Sequence, residues 1–179
     1  GILVVPEDNQ RNLSFKFDFI RINQSSSGSK DSFLYLYNGI SDELDVSAEK
    51  IFFKGKNYGN WEFSIIPENN QLTLNGIKGT YGRWSFKNTN QGMSSLRIIK
   101  NSIGWTTSLR TKIYSGSPEK AMIQIGIKPN FELDTLSLDA DLSWNDLPWL
   151  FDYNSIKGEV STNLEGLTIR NSGDLDATN

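Results

Sequence analysis

The chain has 179 residues, long enough for one domain that removes roughly 70% of its unfolded surface from water. Aromatic residues reach 12%, with 5 Trp, 6 Tyr and 10 Phe, which excludes a disordered tail. With 0 His and 0 Cys, a Ser-His-Asp or Cys-His apparatus, a Cys-based zinc site, His or Cys haem ligation and a disulfide framework are all excluded. The formal net charge of -3 and the single scattering of Lys and Arg argue against a nucleic-acid surface and show no polybasic membrane patch.

Period-two alternation predicts strands almost throughout. The N-terminal Ile2-Leu3-Val4-Val5 is too short, and lacks the basic region, for a signal peptide; any export or anchoring segment of a parent protein would lie outside this chain. Leu13, Phe15, Phe17 and Phe19 share one strand face. The phase then slips to Ile20 and Ile22, which predicts a bulge or a strong twist near Phe19. Residues 23–32 read as a flexible surface loop. Short helical turns fit Gly39–Glu43 and the stretch around Asp146–Phe151. Leu44, Val46 and Ala48 repeat the slip before Ile51 and Phe53.

Trp61, Phe63 and Ile65 alternate until Pro67, and Pro67-Glu68-Asn69-Asn70 reads as a turn into Leu72 and Leu74, forming a hairpin. Tyr81–Phe86 reads as the start of another strand, followed by a turn at Asn88–Gly92 and strands near Leu96–Ile99 and Trp105–Tyr114. Ser117 as N-cap, Pro118 at the first position and Gly126 as terminator predict a short helix near 117–126. The clearest strand follows, with Leu136, Leu138, Ala140, Leu142 and Trp144 on one face and Thr135, Ser137, Asp139, Asp141 and Ser143 on the other. Ile156–Leu164 and Leu167–Ile169 close the pattern. The expected architecture is all-β: one mainly antiparallel, strongly curved and twisted sheet over residues 1–179, groove-like, with one or two short helices.

Candidate chemistry is thin. Asp139 and Asp141 invite a paired-carboxylate glycosidase reading, but their alternation with Leu138, Ala140 and Leu142 fits a solvated strand face better. Asp42-Glu43-Leu44-Asp45 lacks the spaced ligands and central Gly of a calcium loop. Gly76-Ile77-Lys78-Gly79 and Gly55-Lys56 lack the spacing of a phosphate loop. No cofactor and no metal is called for. Exposed Trp rings could stack on sugars, yet Trp61, Trp84 and Trp144 lie in phase with apolar neighbours, as core or groove lining would. Trp149 breaks the alternation and is placed as a cap on one end of the sheet.

Two passages resemble a known family. Leu44–Phe53, then Gly59-Asn60-Trp61-Glu62-Phe63-Ser64 and Leu72–Gly79, resemble a repeated strand-and-hairpin passage in the YhdP branch of AsmA-like proteins. Leu138–Trp144, Pro148, Phe151, Ile156-Lys157-Gly158-Glu159-Val160 and Leu164-Glu165-Gly166 resemble a second passage of that branch. Asn145-Asp146 departs from the Pro-Gly that follows the Trp there. The likeness covers most of residues 40–170. It implies a non-enzymatic segment of a longer periplasmic protein, continuing past Asp174–Asn179 and anchored elsewhere in the inner membrane of a Gram-negative bacterium. It also implies a phospholipid or other lipid as cargo, carried towards the outer membrane. The expected groove lining is Phe15, Phe17, Phe19, Trp61, Phe63, Ile65, Leu72, Leu74, Leu136, Leu138, Leu142 and Trp144. A carbohydrate-binding β-sandwich is the alternative, with a carboxylate-dependent glycoside hydrolase behind it. Open edges of a sheet segment predict edge-to-edge dimers at high concentration.

Overall fold

The computed structural model describes residues 2–4, 13–22 and 42–169. The expected loop at 23–32 and residues 39–41 lie outside them. The principal sheet has 10 strands. Along it run β1 (Ile2–Val4), β2 (Leu13–Phe17), β4 (Leu44–Ala48), β7 (Asn60–Glu68), β8 (Gln71–Tyr81), β10 (Ser95–Asn101), β11 (Gly104–Ser115), β13 (Thr135–Asn145) and β14 (Lys157–Glu165). The sheet is curved and mainly antiparallel; among the described residues only β2 and β4 pair in parallel within it.

β9 (Trp84–Lys87) occupies the gap between β8 and β11 that β10 leaves unfilled, pairing with both. β9 and β10 are thus two halves of one interrupted strand. Residues 88–94 leave the sheet between them, closed by a Thr89–Gly92 bridge. Ser94 is buried where the chain returns, accepting from the Ile77 N–H through its carbonyl and donating its hydroxyl to the Arg110 carbonyl at 3.0 Å.

The two phase slips are not bulges. β2 ends at Phe17, the chain bends at Asp18, and β3 (Ile20–Ile22) enters a different sheet. β4 ends at Ala48, and β5 (Ile51–Phe53) does the same. β3 pairs in parallel with β5, and β6 (Lys56–Asn57) closes this second, three-stranded sheet. A one-residue slip turns every side chain to the other face; here the chain resolves it by changing sheets. A true irregularity lies elsewhere, between Glu62 and Ser64 opposite Gly76, whose φ of 63° favours glycine.

Two turns also fall differently from their sequence reading. Pro67 does not end its strand: it lies within β7 opposite Leu72, and Asn69-Asn70 make the turn, with Asn70 at φ 60°. The β4 pairing stops at Ile65, so proline here has a strand on one side only, where its missing N–H is tolerated. Tyr81–Phe86 is not one strand but a hairpin, turning at Gly82-Arg83 with Gly82 at φ 60°.

The helix α1 spans Pro118–Gln124. Ser117 takes the N-cap position without a side-chain cap bond. At the other end Gly126 donates to the Ile123 carbonyl at 3.0 Å and Ile127 to the Met122 carbonyl at 2.9 Å, the paired bonds that close a helix on a left-handed glycine. Asp146–Phe151 holds a single turn, Leu150 N–H to Leu147 O at 2.9 Å, and a 3-10 helix follows at Tyr153–Ser155. β12 (Phe131–Glu132) and β15 (Thr168–Ile169) form a two-stranded ribbon beside α1.

The core gathers at the two long margins of one sheet face. On one margin Trp84, Ala121, Leu133 and Leu136 pack together, and the Trp84 indole N–H donates to the Ala121 carbonyl at 3.2 Å. On the other, Leu147 is fully buried against Ile98 and Trp105, and the Thr107 hydroxyl donates to the Asp146 carbonyl at 2.7 Å.

Candidate functional site: the apolar face of the sheet

Strand register determines which side chains share a face, because neighbours directly opposite point the same way. One row can be followed across the molecule. Leu13 lies beside Leu44, Leu44 beside Ile65 and Ile65 beside Leu74. Leu74 then lies beside Leu96, Leu96 beside Leu109, Leu109 beside Leu142, and Leu142 beside Gly158. Seven consecutive strands contribute only Leu or Ile, and every one of these side chains is half-buried.

Two further rows lie in register on this face, one buried and the other, apart from Ala48, half-buried like the first. Leu72, Ile98, Thr107 and Trp144 form a neighbouring row, and all are buried near the loop that carries Leu147. On the other side, Phe17, Ala48, Trp61, Gly79, Phe86, Ile113 and Leu138 are in register, next to the margin roofed by α1. The row is tight: a Cβ on Gly79 would stand 2.7 Å from the Trp61 ring and 2.4 Å from the Asn60 carbonyl. The Trp61 and Phe86 rings meet at 4.8 Å.

Of the residues expected on this face, Phe15, Phe17, Trp61, Phe63, Ile65, Leu72, Leu74, Leu136, Leu138, Leu142 and Trp144 fall on it by register. Phe19 does not. It follows the end of β2, is 58% exposed, and meets Phe52 edge-on at 6.4 Å. Leu13, Leu44, Leu96 and Leu109 complete the row and were not singled out from sequence. Alternation signalled each of them, but only pairing partners distant in the chain reveal that they align.

The opposite face is polar. Asp141 binds the Arg110 guanidinium at 2.6 Å and Asp139 faces the Lys112 ammonium at 3.4 Å. Each carboxylate is thus paired with a cation on the adjacent strand, and the two line one open cleft together with Glu159 and Ser161. Among the described residues no group of three or more Asp or Glu could hold a metal ion. A sugar platform needs exposed coplanar indoles, whereas Trp84, Trp105 and Trp144 are buried. Trp149 is 49% exposed, and Leu147 rather than Trp149 fills the end of the sheet.

A curved, nearly all-β chain with one continuous apolar row defines a sheet-forming module. A family model described as YhdP protein matches residues 2–179, and the chain belongs to this family of AsmA-like envelope proteins. Comparison with curated proteins and with solved structures gave no match. Among the described residues no helix is long and apolar enough to cross a membrane.

Proposed function

We propose that this chain is a non-enzymatic periplasmic section of a lipid conduit, its apolar face shielding the acyl chains of phospholipid in transit between the inner and outer membranes. The observation that carries this reading is the half-buried Leu/Ile row from Leu13 to Leu142. Each buried CH₂ contributes about 0.8 kcal/mol, so a sixteen-carbon chain left in water costs on the order of 12 kcal/mol. A row that offers the same side-chain chemistry on every strand lets a chain slide without losing apolar contact. Strands at ~4.8 Å spacing carry the row across about 30 Å from β2 to β13, so the segment acts as one section among several.

The family's membership in the envelope supports this setting, and the location of the parent's anchor follows from the same reading. The test is native mass spectrometry with lipid extraction on protein purified without detergent. Bound phospholipid that falls away in Leu138→Asp and Leu142→Asp variants is expected. Lipid retained equally by folded forms of both variants would refute the role given to this face.

A further inference from the structure

Arg21, Lys50, Lys54 and Lys56 look scattered in the sequence. The structure gathers them around the small sheet of β3, β5 and β6, because parallel pairing sets Arg21 beside Phe52 and the hairpin sets Lys56 beside Phe53. All four cations are exposed. No acidic residue occurs between Lys50 and Trp61, in a chain whose net charge is -3. The nearest acids in sequence, Asp18 and Glu49, lie in the bends that lead into this sheet.

Among the described residues this sheet is also apolar and uncovered. Its strands carry Ile20, Ile22, Ile51, Phe52 and Phe53, and not one of its residues is buried. Phe19 and Ile22 are 58% and 49% exposed. Three of the four cations lie along aromatic rings, and none of the four pairs with a carboxylate among the described residues. Lys54 sits 5.4 Å from the Phe53 centroid, Arg21 5.6 Å from Phe52, and Lys56 over both Tyr58 and Tyr81 at 5.6 and 5.4 Å. Long cationic side chains with apolar stems on aromatic rings, next to exposed Phe and Ile, make a surface with one wet, positive level and one apolar level.

We propose that the β3–β5–β6 sheet is a docking surface for an anionic phospholipid bilayer. Charge complementarity selects the occupant: the positive cluster meets acidic head groups, and Phe19 and Ile22 enter the head-group boundary as interfacial apolar side chains do. An acidic protein surface would match the cations but would leave these two side chains in water. The docking is independent of the apolar row, which lies on the principal sheet.

Flotation with phosphatidylcholine vesicles, with and without phosphatidylglycerol, tests this on the whole chain. The protein is expected to float only with phosphatidylglycerol present, and high salt is expected to release it. A Lys54→Ala/Lys56→Ala variant should bind roughly 30-fold more weakly, from about 1 kcal/mol per cation near the surface. Phe19→Ser should weaken binding several-fold without altering its salt dependence. Leu142→Asp, which alters the apolar row, should float like the parent protein. Equal flotation on neutral vesicles, or flotation unchanged in the double variant, would overturn the proposal. So would absence of flotation, with or without retention on immobilised polyglutamate; retention would point to an acidic polypeptide instead.

Discussion

The strands β11 and β13 and the strands β2 and β4 begin alike, as alternating apolar and polar residues, and end differently. β11 and β13 run 12 and 11 residues without a slip, pair with each other at ten consecutive positions from Thr106↔Asn145 to Ser115↔Leu136, and bury residues at both ends. β2 and β4 keep phase for 5 residues each, then leave the principal sheet together for a small one in which nothing is buried. Uninterrupted phase builds core. A phase slip, repeated on two paired strands at the same register, builds an uncovered projection instead.

The largest effect that would sharpen this contrast comes from Trp84. It packs on Ala121, Leu133 and Leu136 and donates to the Ala121 carbonyl, so Trp84→Ala should cost about 3–5 kcal/mol in guanidinium unfolding. Phe53→Ala in the small sheet should cost much less, about 1 kcal/mol, because its side chain already meets solvent. Equal costs would break the distinction between covered and uncovered regions.

Glycines give the next step down. Gly79→Ala forces a Cβ against the Asn60 carbonyl and the Trp61 ring and should cost about 1–3 kcal/mol by overpacking. Gly55, at the tip of the small sheet, has open space around it but a φ of 77°, so Gly55→Ala should cost only about 1 kcal/mol, through backbone strain. Thermal unfolding of the two variants under identical conditions makes the comparison.

On the polar face, Arg110 and Asp141 are about half exposed, at 46% and 54%. Asp141→Asn should therefore change stability by less than about 1 kcal/mol, with the difference shrinking as salt is added. A larger loss would mean that the ion pair positions β11 against β13 in a way that backbone pairing alone does not.

The smallest effect is confined to alkaline pH. A hydrogen bond to Tyr81 holds the Lys56 ammonium above its ordinary pKa of 10.5. A folded pKa raised above the unfolded one gives stabilisation that is complete below 10.5 and is lost as pH rises through the folded value. The stability difference between the parent protein and Lys56→Met should therefore be flat from neutral pH to about 10 and disappear only beyond it. Concentration-dependent self-association, followed by analytical ultracentrifugation, should accompany all of these variants, because among the described residues β14 pairs with β13 on one side and has no strand on the other.

How much of this was legible in the sequence depended on whether the cause was local. The β13 strand followed from strict alternation between Thr135 and Trp144, and α1 from Ser117, Pro118 and Gly126, since caps and side-chain period act within a few residues. The apolar row was only half legible. Leu96 and Leu109 alternate correctly, but their alignment with Leu74 and Leu142 is set by pairing between strands distant in the chain. The parallel pairing of β2 with β4 has no local signal at all. For the same reason the cations of the small sheet looked dispersed. Pro67 was misread because proline punctuates most strands, and its tolerance here depends on where the neighbouring β4 happens to stop.

The interrupted strand has a practical consequence for handling the molecule. β9 and β10 are each hydrogen-bonded to β8 and β11, and of the seven residues that join them Ser94 bonds to both strands as well, so each tile is held without help from the crest of the join. Asn90 and Gln91 at the crest of that join are exposed. A fluorophore, an affinity tag or even a cut between them would leave every rung of the ladder in place, giving the sheet a built-in port for a reporter that its continuous strands do not offer.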